Sequence, residues 1–164
     1  MPKKSSSSVE LVAGILENYA QRGIFRGFSR GRVLDGKAKF NILWHRDRLF
    51  EFVLDAEART MRFPAVLPEV PSDSDMFREF KEFVGSRQSE ELPEHRRIDK
   101  AKATVRASTR AGSAGVTLTL RGMDYEYGVR KLVHLVHEVF MVFLCDGRYY
   151  DYMVEKFNLD PDRF

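Results

Sequence analysis

Alternation of apolar and polar residues with a period of two is the feature that most constrains the fold of this chain. It recurs in short runs between residues 24 and 66 and again between residues 101 and 120. This pattern is typical of β-strands that bury one face. The tight-turn pair Asp35-Gly36 separates the first two runs. The second run shows the pattern most clearly, with inward residues Ala38, Phe40, Ile42 and Trp44.

The order of these runs predicts an α+β fold. The first region reads as a meander of four strands, and "AKATVRAST" with "GVTLTLRG" reads as a hairpin. Helical spacing predicts four helices, in the order α-β-β-β-β-α-β-β-α-α. Pro64 cannot donate to a strand ladder, so we expect its strand to end there or to lie at a sheet edge. Because no crossover helix joins the neighbouring strands, the sheet is expected to be antiparallel and packed by helices.

Length and composition indicate one domain in a reducing compartment. The chain has 164 residues, and we expect a flexible tail over residues 1–8 and a single α+β domain over residues 9–164. The apolar run from Val139 to Leu144 is far shorter than the ~20 residues of a membrane-spanning helix. The single cysteine, Cys145, is interpreted as a buried, inert thiol. These features favour a cytoplasmic protein.

The segment "KLVHLVHEVFMVFL" contains the residues most suggestive of chemistry, His134, His137 and Glu138. Its spacing is H-x-x-H-E and differs from the H-E-x-x-H pattern that seats zinc beside a carboxylate base. We therefore interpret these side chains as a polar helix face or a dimer contact. The sequence predicts no catalytic residue, no metal site and no cofactor.

Basic residues are unevenly distributed and give a candidate binding surface. The chain has 27 Lys and Arg against 24 Asp and Glu, but residues 22–39 and 95–110 are strongly basic. Such strand faces could bind phosphate groups of a nucleic acid, with an aromatic ring for stacking. The alternative is that they are the solvated outer faces of a sheet, with charges that protect its edges. The candidate residues are Arg26, Phe28, Arg30, Arg32, Lys100, Lys102 and Arg106.

The C-terminal part of the long helix predicts self-association. Its last turns are apolar around the whole circumference, and the sheet can cover only one side. Either the short final helix or a second copy of the chain must cover the other side. We predict a homodimer. Its candidate contacts are Val139, Met141, Val142 and Phe143.

The order of elements resembles that of the YbjN and type III secretion chaperone-like group of small α+β domains. The resemblance spans the helix "VELVAGILENYAQRG", the meander, "MFREFKEFV", the hairpin and the helix "YEYGVRKLVHLVHEVFMVFL". It implies a non-enzymatic domain that dimerises and binds protein segments. Two features depart from the group: the pI is near 9, whereas secretion chaperones are usually acidic, and "RYYDYMVEKFNL" has no counterpart.

The expected function is therefore a non-catalytic, chaperone- or adaptor-like domain that self-associates and binds an unidentified protein. Two other functions stay open. One is a nucleic-acid-binding module that uses the basic strand faces, and the other is a small enzyme with an unrecognised site.

Overall fold

The computed structural model of the chain describes residues 2–34, 36–145 and 147–157. Within these ranges the predicted order of elements is confirmed. The helices are α1 (Pro2–Gln21), α2 (Asp75–Ser86), α3 (Tyr125–Glu138) and α4 (Tyr150–Phe157). The strands are β1 (Gly27–Leu34), β2 (Lys37–Trp44), β3 (Arg48–Asp55), β4 (Thr60–Leu67), β5 (Ala103–Arg110) and β6 (Ser113–Leu120).

The six strands form one antiparallel sheet in the order β1-β2-β3-β4-β6-β5. The α+β class and the antiparallel sheet are as predicted. Strand β6 pairs with β4, so β5 is placed at the outside of the sheet. Strands β1 and β5 are therefore the two edges.

One face of the sheet carries the core, and helices α1 and α3 pack on it. The apolar residues of the alternating runs point to this face, as Phe40, Phe52 and Phe63 show by being fully buried and in ring contact. The opposite face carries the polar residues of the same runs and is called the open face below. It includes Lys39, Asn41, Glu51, Arg62, Thr104, Arg106, Thr117 and Thr119.

The first helix is longer than the sequence predicts. Helix α1 begins at Pro2, so the part of the predicted tail from residue 2 to residue 8 is helical, while Met1 lies outside the described residues. Ser8 is buried and hydrogen-bonds with the side chain of Tyr125 in α3. Four consecutive serines have low helix propensity, and the sequence shows nothing of this contact with a helix more than a hundred residues away.

The prediction that the strand containing Pro64 ends there or lies at a sheet edge is wrong. Strand β4 continues to Leu67 and lies inside the sheet, between β3 and β6. Its register with β6 shifts between Phe63 and Leu67, and its pairing with β3 ends at Arg62. Proline is accepted at such an irregularity because no ladder bond is required of its nitrogen.

The short final helix covers the apolar end of α3. A π-helical turn, Val139–Phe143, follows α3. The ring of Phe157 lies 5.1 Å from that of Phe140, and the ring of Tyr149 lies 4.8 Å from that of Phe143. The chain itself thus supplies much of the cover that this apolar turn needs. No helix in the described ranges is long and apolar enough to span a membrane.

Candidate functional site

Glu138, one of the residues singled out in the sequence, is buried at the centre of an ionic cluster. Its Oε2 accepts hydrogen bonds from Arg87 Nη1 and Arg96 Nη2, each at 2.9 Å. His134 Nε2 lies 3.0 Å from Glu138 Oε1, although it makes no well-aligned hydrogen bond there. Arg87 also stacks on Phe83, with its guanidinium carbon 4.4 Å from the ring centre. The cluster joins the segment after α2 to the last turn of α3.

The electrostatics of this cluster keep Glu138 ionised. Burial raises the pKa of Glu138, but the hydrogen bond from Arg96 and the positive charges around the carboxylate outweigh it, so the pKa is lowered overall. Burial lowers the pKa of His134 despite the nearby carboxylate, so the imidazole is neutral at pH 7. Two arginines therefore compensate one buried carboxylate. The arrangement holds a loop in place and has the properties of a structural ion-pair network.

The two histidines of α3 point to different surroundings. His134 faces Glu138, whereas the ring of His137 lies 5.6 Å from that of His45, in the turn between β2 and β3. Burial lowers the pKa of His45 to about 4, and its ring stacks on Phe140 at 4.2 Å. Among the residues with described positions, no three metal-ligating side chains come together.

The predicted dimer contacts divide into two buried and two exposed residues. Val139 is fully buried and Phe143 nearly so, while Met141 is 52% exposed and Val142 46% exposed. The interpretation of Cys145 as buried is corrected, because the thiol is exposed and contacts the Phe140 carbonyl at 3.6 Å. The apolar run ends one residue earlier, so the chain turns outward at this cysteine.

The predicted basic residues do not form one surface, because they lie at opposite edges of the sheet. At the β1 edge, Arg30 makes a two-pronged ion pair with Glu10 of α1, at 2.6 and 3.1 Å. Phe28 is half-buried and stacks on Phe40 on the core face, with ring centres 5.8 Å apart. Arg32 is exposed and has no ionic partner in the part of the chain that the structure describes. The expected stacking ring is therefore turned toward the core.

Arg26, next to this edge, forms an ion pair with Asp47 at 3.2 Å. On the far side of the sheet, Lys102 lies over the ring of Tyr127, 4.8 Å from its centre, and so reaches toward the helices. Lys100 is exposed in the turn before β5. Arg106 lies within strand β5 on the open face.

The two edge strands differ in what covers them. At β5, the side-chain amide of Gln88 pairs with the backbone of Val105, accepting from its nitrogen at 3.1 Å and donating to its oxygen at 3.3 Å. Helix α2 also packs beside β5. At β1, residues 29–34 are all exposed, and no described residue pairs with the outer edge. Strand β1 is therefore the uncapped edge, and below it is called the open edge.

A second basic surface lies at the end of the sheet formed by β4, β6 and β5, and it joins the predicted residues Lys100 and Arg106 to three arginines that the sequence analysis did not single out. Arg59 Nη1 donates to the carbonyl of Arg121 at 3.1 Å, and Arg121 Nε donates to the carbonyl of Lys100 at 2.6 Å. On the adjacent open face, Arg62 and Arg106 both pair in register with Thr117. We call this set the basic corner: Arg59, Arg62, Lys100, Arg106 and Arg121. The only available signal was the alternation of basic residues and threonines in the hairpin.

In comparisons with known proteins, no protein-family model, no curated protein and no solved structure matches this chain.

Proposed function

We propose that this chain is a non-catalytic protein-interaction domain that binds an extended segment of another protein along the open edge. The observation that supports this proposal most directly is the contrast between the two edges. Strand β5 is capped by Gln88 and α2, whereas β1 is uncovered over residues 29–34. An edge strand presents unpaired backbone donors and acceptors, and a partner strand can use them to extend the sheet.

The charge of the open edge points to an acidic partner. Strand β1 contains Arg30 and Arg32 and has no acidic residue, and the neighbouring β2 adds Lys37 and Lys39. The ion pair of Arg30 with Glu10 is solvent-exposed on both sides, so a competing carboxylate can replace it at small cost. Because the register shift of β1 lies between them, Arg30 and Arg32 face opposite sides of this edge, and each would attract an acidic residue of an added strand.

The same charges disfavour pairing of β1 with a second copy of itself. Antiparallel self-pairing would bring Arg30 and Arg32 close to the same residues of the other chain, and like charges opposite one another destabilise a strand pair. The register shift between Arg30 and Val33 also bends the edge and limits regular pairing to a short segment. These features support a short, acidic partner segment at this edge.

The proposal predicts that a peptide of alternating glutamate and valine binds the chain and that Arg32→Glu weakens this binding about ten-fold, or ~1.4 kcal/mol. Fluorescence anisotropy with a labelled peptide measures the affinity. Arg110→Glu, a matched reversal at the capped edge, should leave the affinity unchanged. A peptide with the same side chains and alternate N-methylated nitrogens lacks backbone donors and should bind poorly. Equal binding of both peptides would contradict strand addition.

The predicted homodimer is a separate proposal, and its proposed surface now rests on Met141 and Val142. Two exposed apolar side chains form a small contact, whereas a specific, stable protein–protein interface of standard size buries about 800 Å² on each partner. If the chain dimerises through this turn, then Met141→Asp combined with Val142→Asp should convert the dimer to a monomer in light scattering at tens of micromolar. A monomeric mass for the unchanged chain would refute the dimer, and a dimer that survives both substitutions would refute this surface.

A further inference from the structure

We propose that the basic corner is a binding site for the phosphate backbone of nucleic acid. It is distinct from the open edge, because it lies at β4, β6 and β5, whereas the open edge is β1. The site combines two arginines that are anchored on backbone carbonyls with two that flank a threonine on the open face. The inference is independent of the proposed protein partner, because none of its residues belongs to β1 or β2.

The first argument is that the charges of the corner are not neutralised. Arg59 and Arg121 each donate one hydrogen bond to a backbone carbonyl oxygen, and a carbonyl carries no net charge. A guanidinium has five N–H donors, so most of them stay available to a ligand. None of the five cations of the corner forms an ion pair with any carboxylate whose position is described. The carboxylates near this end of the sheet accept from backbone nitrogens, as Asp55, Asp99 and Asp124 do, and the ionic partner of Asp55 is Lys37, which is not part of the corner.

The second argument is the geometry of the open face. Arg62 on β4 and Arg106 on β5 are separated by one strand, β6, and therefore by about 10 Å. Thr117 lies between them in register, and the next row pairs Thr60, Thr119 and Thr104. Guanidinium groups bind phosphate oxygens through paired hydrogen bonds, and threonine hydroxyls can donate to the same oxygens. Successive phosphates could therefore be held along the two rows.

The chemistry also indicates how selective the site is. The corner contains no aromatic ring, and the ring expected from the sequence, Phe28, stacks on Phe40 at the other edge of the sheet. Without base stacking or base-edge contacts, binding is carried by phosphates and does not depend on sequence. Its affinity must fall steeply with salt, because each neutralised phosphate releases counterions.

The test measures binding of a labelled oligothymidylate of about 20 nucleotides by fluorescence anisotropy at several salt concentrations between about 50 and 200 mM. Five phosphate contacts on a single strand predict a slope of log K against log salt of about −3.5. The double variant Arg62→Gln/Arg106→Gln should weaken binding at least ten-fold and reduce the slope by about 1.4. An oligoadenylate of the same length should bind with the same affinity.

Two controls test the position of the site and the class of its ligand. Arg22→Gln/Arg32→Gln removes the same charge from the turn after α1 and from β1, and this variant should bind the oligonucleotide as the unchanged chain does. Equal losses in both double variants would show attraction by overall charge and would overturn the site. No binding at the lowest salt concentration would overturn it as well. Polyaspartate of equal charge should compete poorly, and competition as strong as that of unlabelled oligonucleotide would reassign the corner to acidic proteins.

Discussion

Gly115→Ala is expected to destabilise the fold by about 3 kcal/mol or more, because the site has no room for a methyl group. A Cβ at this position would lie 2.4 Å from the carbonyl oxygen of Pro64 and 2.5 Å from that of Phe63. Both atoms belong to the backbone of the neighbouring β4, at the place where its register with β6 shifts. A backbone cannot move aside as the end of a side chain can, so β4 and β6 must separate. Chemical denaturation measures the loss.

Two other glycines provide graded controls for this prediction. At Gly122 an added Cβ meets nothing within 4 Å, so Gly122→Ala should change the free energy of unfolding very little. At Gly128 the Cβ would lie 2.3 Å from the terminal methyl of Met61, which can move, so an intermediate loss is expected. If Gly115→Ala unfolds at the same denaturant concentration as Gly122→Ala, the close approach of β4 and β6 is wrong.

Glu138→Gln is expected to lower the free energy of unfolding by about 3 to 5 kcal/mol, because it removes the negative charge that two arginines surround. The side chain of Arg87 is only 12% exposed and would be left near the core without a counter-charge. The segment after α2 should loosen as well, since Arg87 and Arg96 attach it to α3. Denaturation curves and amide exchange in residues 87–98 measure the two effects.

Lowering the pH should also decrease the free energy of unfolding of the unchanged chain, because it protonates Glu138. The pKa of Glu138 is lowered in the folded state, so its stabilising effect is fully present above the ordinary value near 4.5 and is lost as the pH falls through the folded value. As the pH falls through this range, the free energy of unfolding of Glu138→Gln should therefore decrease less than that of the unchanged chain. Glu126→Gln, on the exposed side of the same helix, breaks only a surface pair with Arg130 and should cost less than about 1 kcal/mol. A Glu138→Gln variant as stable as Glu126→Gln would contradict the buried network.

The face that each strand buries could be predicted from the sequence, because apolar and polar residues alternate along the strands. Phe40, Phe52 and Phe63 are inward as the period of two requires. The order of strands in the sheet could not be predicted. Turn signals show that β5 and β6 form a hairpin, but they do not show which of these two strands pairs with the meander. Strand β6 pairs with β4, so β5 becomes an edge and the two basic segments lie far apart.

The candidate site was predicted less completely, because its contacts join distant parts of the chain. Phe157 packs on Phe140 and Tyr149 on Phe143, so the chain itself covers part of this apolar turn and leaves only Met141 and Val142 of the predicted dimer contacts exposed. The partners of Glu138 come from a loop whose polar composition indicates only a surface connection. Arg59 and Arg121 are joined through a backbone carbonyl, which leaves no signal in the side-chain pattern.

The most direct test of the central claim is amide hydrogen exchange, resolved by residue, on the chain alone and with saturating acidic peptide. Strand addition at the open edge predicts slower exchange for amides of Gly27–Leu34 and no change for Ala103–Arg110, where Gln88 pairs with Val105 and helix α2 packs beside the strand. The same peptide with alternate N-methylated nitrogens should give no such protection. Protection at β5 or around Met141 without any at β1, or peptide binding that leaves β1 unchanged, would contradict the account.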